Sequence, residues 1–289
     1  MSWKAQVRRS INALLEPAGF TFSRFAPEIR CRHMDTPAIR QRQISDFKQA
    51  LAHSLANFPH LNPAALPDAA IAEFLQSLAH CPVEQTRGGG GVNAALLLWS
   101  MARLIDPAVI VESGVFRGFT SWVLREASPG AEQYAFDITF AELKHRVQGV
   151  HYVEQDWISM NVRAPEDRPG LVYFDDHVDQ WRRIREAVER GFRYLIFDDS
   201  LPANALHNDG EAAMPTVDML FDAQIQDGEE IRWRTECGDF HYRHDGEMAR
   251  LTRKFVKRHI RLPDLRFVFG YSAANLIVVE LRGTLDVSD

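Results

Sequence analysis

The stretch Val109-Ile110-Val111-Glu112-Ser113-Gly114-Val115-Phe116-Arg117-Gly118-Phe119-Thr120-Ser121 constrains this chain more than any other. A β-branched apolar run passes into a glycine-bearing turn, and a helical pattern follows directly. Some twenty residues on, a second apolar run ends in an acid, Tyr134-Ala135-Phe136-Asp137. In a doubly wound sheet the glycines let backbone approach a nucleotide-like ligand, and the acid at the next strand end takes ribose hydroxyls. The pattern predicts an enzyme that uses a cofactor.

The rest of the chain agrees with an α/β fold. From residue 108 strands and helices alternate, which predicts a mainly parallel, Rossmann-like doubly wound sheet. The predicted strands are Ala108–Glu112, Gln133–Asp137, Val150–Glu154, Leu171–Asp175 and Arg193–Asp198. Asp179 is placed to cap the helix after the fourth strand, and a short helix is expected at about Met214–Ala223. A polar insertion, 229–263, carries His241, Tyr242, Arg243 and His244 and a basic helix with Arg250, Arg253, Lys254, Lys257 and Arg258. The last two strands, Leu265–Tyr271 and Asn275–Leu281, are separated by a short turn and must pair antiparallel.

Residues 1–85 read as a helical cap on the main domain, 86–289. Three apolar stripes recur at helical spacing: Val7, Ile11, Leu14, Leu15; then Ile44, Phe47, Leu51, Leu55, Phe58; then Ile71, Phe74, Leu75, Leu78, with Asp68 as a cap. Gly88 to Gly91 follow, open to two readings: a hinge, or a loop that closes over ligand. An apolar helix from Val92 to about Ile105 is closed by Asp106-Pro107.

At 289 residues, 46% hydrophobic and 25% charged, the chain has the composition of a soluble globular protein. A net charge of −6 argues against a dedicated nucleic-acid binder. Cys31, Cys81 and Cys237 fit neither a disulfide framework nor a zinc spacing. No signal-peptide core or bilayer-length apolar run is present, so the expected setting is the cytoplasm, with no membrane partner. A homo-oligomer is left open.

The choice of cofactor turns on one position. A dinucleotide fingerprint wants a glycine midway between Gly114 and Gly118, where the pyrophosphate approaches, and Phe116 stands there instead. Glu112-x-Gly114-x-x-x-Gly118 followed by Asp137 resembles the binding pattern of class I S-adenosylmethionine-dependent methyltransferases, and an antiparallel last strand fits that fold. The resemblance implies that Glu112 and Gly114 line the methionine end, with Gly118, Thr120 and Ser121 also binding the cofactor. It further implies that Asp137 binds the ribose, and that Asp156, with Trp157 beside it, approaches the adenine.

A second acidic cluster lies at two further strand ends, Asp175-Asp176-His177 and Asp198-Asp199. Carboxylates converging on one crevice need protons, basic partners or a metal, and an oxygen-rich set suits Mg²⁺. This arrangement resembles the metal-dependent sugar O-methyltransferases of the macrocin O-methyltransferase type and the cephalosporin-hydroxylase-like proteins. There the adjacent pair maps onto Asp198 and Asp199, and the single acid onto Asp175 or Asp176. His177 and Asp176 are the candidates for proton transfer. The expected function is methyl transfer from S-adenosylmethionine to a hydroxyl of a small-molecule acceptor, a sugar or glycosylated natural product. An NAD-dependent oxidoreductase and a non-catalytic binding module are the alternatives.

Overall fold

The computed structural model describes residues 10–11, 36–83, 91–205, 214–235, 238–270 and 274–283. Apart from Ile11, the first predicted helical stripe lies outside them, as does most of the glycine run. Two helices, α1 (Pro37–Ser54) and α2 (Asp68–Ser77), precede α3 (Val92–Ile105). Then come β1 (Val109–Ser113), α4 (Phe119–Ala127), β2 (Glu132–Phe136), β3 (Val150–Val153) and β4 (Gly170–Phe174). They are followed by α5 (Gln180–Glu189), β5 (Tyr194–Phe197) and α6 (Val217–Phe221). The chain continues with β6 (Glu230–Thr235), β7 (Gly238–Arg243), α7 (Gly246–Phe255), β8 (Val256–Arg261), α8 (Arg266–Phe269) and β9 (Ile277–Leu281).

Seven strands form one sheet in the order β3-β2-β1-β4-β5-β9-β8, and β6 and β7 make a separate hairpin. Strands β1 to β5 are parallel, while β9 runs antiparallel to both β5 and β8. This is the Rossmann-like α/β fold expected from the sequence, with its antiparallel last strand.

The alternating strand residues feed two cores. Ile110, Leu171, Tyr173 and Ile196 pack with α1 to α4, and Val111, Val172, Phe174, Leu195 and Phe197 pack with α5 to α7. Helix α3 is buried nearly all round, as its apolar composition requires. The helices read as a cap bury Ile44, Phe47, Leu51, Ile71 and Phe74 in the same core as Leu96 and Leu97 of α3.

Several local expectations are corrected. The partner of the last strand is β8, not Leu265–Tyr271, part of which forms α8. The basic helix ends at Phe255, so Lys257 and Arg258 belong to β8, where both approach Glu280 of β9, Lys257 at 3.5 Å and Arg258 at 2.9 Å. Asp68 does not cap α2; Pro67 holds that position, and Asp68 accepts from Lys48 and Gln41 at 2.8 Å. Among the described residues no helix is long and apolar enough to cross a membrane.

Candidate active site

Register brings the site together. Ser113 lies opposite Phe136 and Phe174, and Phe174 opposite Phe197. The next residues, Gly114, Asp137, Asp175 and Asp198, therefore leave the sheet side by side at one edge. In a parallel sheet this carboxyl edge is where ligands bind.

The turn after β1 needs both of its glycines. Gly114 has φ +97°, and a β-carbon there would sit 2.2 Å from the Asp175 carbonyl oxygen. Gly118 has φ +91°, and its β-carbon would lie 2.3 Å from the His145 carbonyl oxygen. Neither conformation nor space admits a side chain. Phe116, between them, is 39% exposed, so its bulk is carried on the open side. Asp137 secures the turn from β2: its two oxygens accept the Val115 N–H at 2.7 Å and the Thr139 N–H at 3.0 Å.

Three residues expected to bind the cofactor turn elsewhere. Glu112 is fully buried, on the sheet face that packs against α4. One of its oxygens accepts from the Thr120 hydroxyl and the other from Ser121 at 2.5 Å. Burial raises the Glu112 carboxyl to about 7, against the pull of the Ser121 and Thr120 hydrogen bonds and with the charge of Asp137 adding to the rise. Glu112, Thr120 and Ser121 thus lock β1 to α4 behind the turn rather than lining its surface.

Beyond β3, Asp156 caps the short turn Trp157–Ser159, accepting the Ile158 N–H at 3.1 Å. Burial disfavours its charge, but Arg183 and that N–H outweigh it and hold the carboxyl below its ordinary value. Trp157 corrects the sequence reading. It is fully buried edge-on against Phe174 and Phe192, and its indole N–H donates to Glu186 at 2.9 Å. It is a core residue with no face for a ligand.

The acidic cluster divides in two. Asp175, His177 and Asp199 each turn one donor atom to a common point, all within 4.8 Å of one another. His177 Nε2 stands 3.9 Å from Asp175 and 3.8 Å from Asp199, too far for hydrogen bonding. Asp198 lies just beneath: it accepts from the Tyr173 hydroxyl at 3.0 Å and from the Asp199 N–H at 2.9 Å. Burial, then the charge of Asp198, drives the Asp175 carboxyl well above its ordinary range. Burial, then Asp199, raises that of Asp198 to about 6.

Asp176 is not part of this group. It points to the opposite sheet face, accepting from Ser113 at 2.6 Å and from Arg183 at 2.9 Å. The single acid after β4 that faces Asp199 is therefore Asp175, and the proton-transfer and metal roles expected of Asp176 do not fit its position. Tyr173, Gln180 and Arg183 were missed by sequence reasoning. Only the two-residue step from Tyr173 to Asp175 was a usable signal, since it puts both on one face. In the insertion, His244 is buried against Trp181 with ring centroids 5.4 Å apart, a packing position.

No family model and no curated protein matches the chain. Solved structures that resemble it include CmcI with Mg and SAM, 17% identical over 40% of this chain at a TM-score of 0.34. This chain spans 57% of the length of that protein. A second is the O-methyltransferase TomG from Streptomyces achromogenes, involved in tomaymycin synthesis and in complex with SAM. It is 14% identical over 82% of this chain and 99% of its own, at a TM-score of 0.38. A third is an O-methyltransferase from Bacillus cereus in complex with SAH, 10% identical over 82% and 99%, at a TM-score of 0.40. At such identities the likeness concerns the fold, which the strand order establishes on its own.

Proposed function

We propose that the chain is an S-adenosylmethionine-dependent O-methyltransferase acting on a hydroxyl of a small polar acceptor, a sugar or a glycosylated natural product, with the help of Mg²⁺. One observation carries the reading. The glycine turn after β1 touches the backbone of Asp175, so a cofactor laid on that turn abuts the Asp175, His177 and Asp199 group.

The carboxylates of Asp175 and Asp199 suit a hard dication, with His177 beside them and the buried Asp198 beneath, its proton affinity raised first by burial and then by Asp199. Asp175 and Asp199 would hold it. When bound, such an ion lowers the pKa of an acceptor hydroxyl and orients it. Asp137 would take the cofactor's ribose hydroxyls, while the backbone of Gly114 to Gly118 clears its amino-acid end. In the transfer step the acceptor oxygen would form a bond to the sulfonium methyl carbon as the carbon–sulfur bond breaks. The electron pair would stay on sulfur, giving S-adenosylhomocysteine, and the hydroxyl proton would pass to His177 Nε2. Glu112, bound to Thr120 and Ser121, keeps α4 and the turn in register.

Calorimetry with S-adenosylhomocysteine and with NAD tests the reading. Binding of the first and not the second is expected, followed by transfer of labelled methyl to an acceptor panel of sugars and glycosides. Binding of NAD alone would overturn it in favour of an oxidoreductase.

A further inference from the structure

Helix α5 turns two polar side chains inward, Gln180 and Arg183, three residues apart and each 2% exposed. Gln180 holds the exit of β5: its Nε2 donates to the Asp198 carbonyl at 3.1 Å, and its Oε1 accepts the Val217 N–H at 2.8 Å. Arg183 reaches further. Its Nε donates to Asp176 at 2.9 Å, and Nη1 and Nη2 donate to the two oxygens of Asp156 at 3.0 and 3.1 Å. Nη1 also donates to Glu186 at 2.8 Å. Asp176 in turn accepts from Ser113 at the end of β1.

An unbroken hydrogen-bonded chain thus runs from Ser113 through Asp176 and Arg183 to Asp156. Ser113, Asp176 and Asp156 sit at the exits of β1, β4 and β3, on the proposed cofactor side and the acidic side of the cleft, and Arg183 joins them from α5. A buried guanidinium is costly, and packing alone is better served by an apolar side chain. What the guanidinium supplies is a rigid planar fork that fixes several carboxylates at once. His177 follows Asp176 directly, so whatever holds Asp176 holds the turn that carries the imidazole.

We infer that Arg183 is a positioning residue that couples the cofactor pocket to the Asp175, His177 and Asp199 group, so that filling one tightens the other. The inference rests on the proposed function, since it takes Asp156 as part of the cofactor pocket and the acidic group as the metal site. Coupling of this kind is reciprocal: cofactor and dication must change each other's affinity by the same factor.

The test is a set of calorimetric titrations of the full chain with Mn²⁺, in the absence and presence of saturating S-adenosylhomocysteine. In the unaltered protein S-adenosylhomocysteine is expected to tighten Mn²⁺ about fivefold or more. In Arg183→Lys, which keeps the charge but not the fork, each ligand still binds and the ratio falls towards one. Ser113→Ala cuts the chain at its other end, leaves the guanidinium in place, and is expected to lower the ratio too. It decides the matter if Arg183→Lys does not fold by circular dichroism. A ratio of one in the unaltered protein, or an unchanged ratio in the folded variants, overturns the coupling alone. Failure of the unaltered protein to bind S-adenosylhomocysteine at all overturns the proposed function, and the coupling with it.

Discussion

Gly114 and Asp175 are in backbone contact across two strand ends: a β-carbon on Gly114 would lie 2.2 Å from the Asp175 carbonyl oxygen. The glycine of the turn after β1 is therefore also what seats the first acid of the cluster. Gly114→Ala forces either the turn or the acid to move, in addition to holding an L-residue at φ +97°. The expected cost is about 2 kcal/mol or more of stability. Chemical denaturation should show it, and calorimetry should show S-adenosylhomocysteine and Mn²⁺ binding weakened together. Loss of one without the other would separate the two half-sites.

Glu112 gives the protein a pH-dependent stability of predictable sign. Its carboxyl is raised from 4.5 to about 7 by burial. Between those values the folded state binds more protons than the unfolded, so stability falls as pH rises through that window. The ceiling on the effect is on the order of 3 kcal/mol. In Glu112→Gln the hydroxyls of Thr120 and Ser121 still find a partner, and the slope between pH 5 and 7 should flatten. Urea unfolding with chelator present, at several pH values, measures it.

On the proposed function, protons and metal would compete at the acidic cluster. Asp175 is held well above its ordinary range and Asp198 near 6, each first by burial and then by neighbouring acids. Mn²⁺ affinity should therefore rise with pH through about 6, and Mn²⁺ should raise the melting temperature more at pH 7.5 than at pH 5.5. Asp199→Ala should abolish both effects. Thermal scans at the two pH values check them.

His177 as proton acceptor makes a kinetic prediction. His177→Ala should lower kcat by about 10²- to 10⁴-fold and remove the limb of the pH–rate profile that belongs to the imidazole. S-adenosylhomocysteine affinity should stay within about twofold. A profile of unchanged shape would assign the proton elsewhere.

The frame of this site was legible in the sequence for physical reasons. A β-branched run, two turn glycines and an acid at the next strand end are local patterns, and they placed Gly114 and Gly118 in the turn after β1 and Asp137 at the end of β2. What failed was the direction of side chains. Asp175 and Asp176 are neighbours, but strand alternation carried past β4 sends the first towards Tyr173 and Asp198 and the second towards Ser113 and Arg183. Thr120 and Ser121 are spent on Glu112, a buried acid whose need for donors no linear pattern displays. The antiparallel pair at the end was assigned to the nearest candidate in sequence. The actual partner, β8, is rich in charge because Lys257 and Arg258 answer the buried Glu280 of β9. Arg183 lay hidden in a helix dense with arginines, where only a folded neighbour distinguishes a buried guanidinium from a solvated one.

The central claim is that a methyl donor and a dication meet at Asp175, His177 and Asp199. A crystal grown with S-adenosylhomocysteine and soaked in Mn²⁺ tests it most directly, read as an anomalous difference map. The account predicts one peak between the Asp175 and Asp199 carboxylates, with the thioether of S-adenosylhomocysteine over the Gly114 turn. Ordered S-adenosylhomocysteine on that turn with no peak at those carboxylates would contradict it.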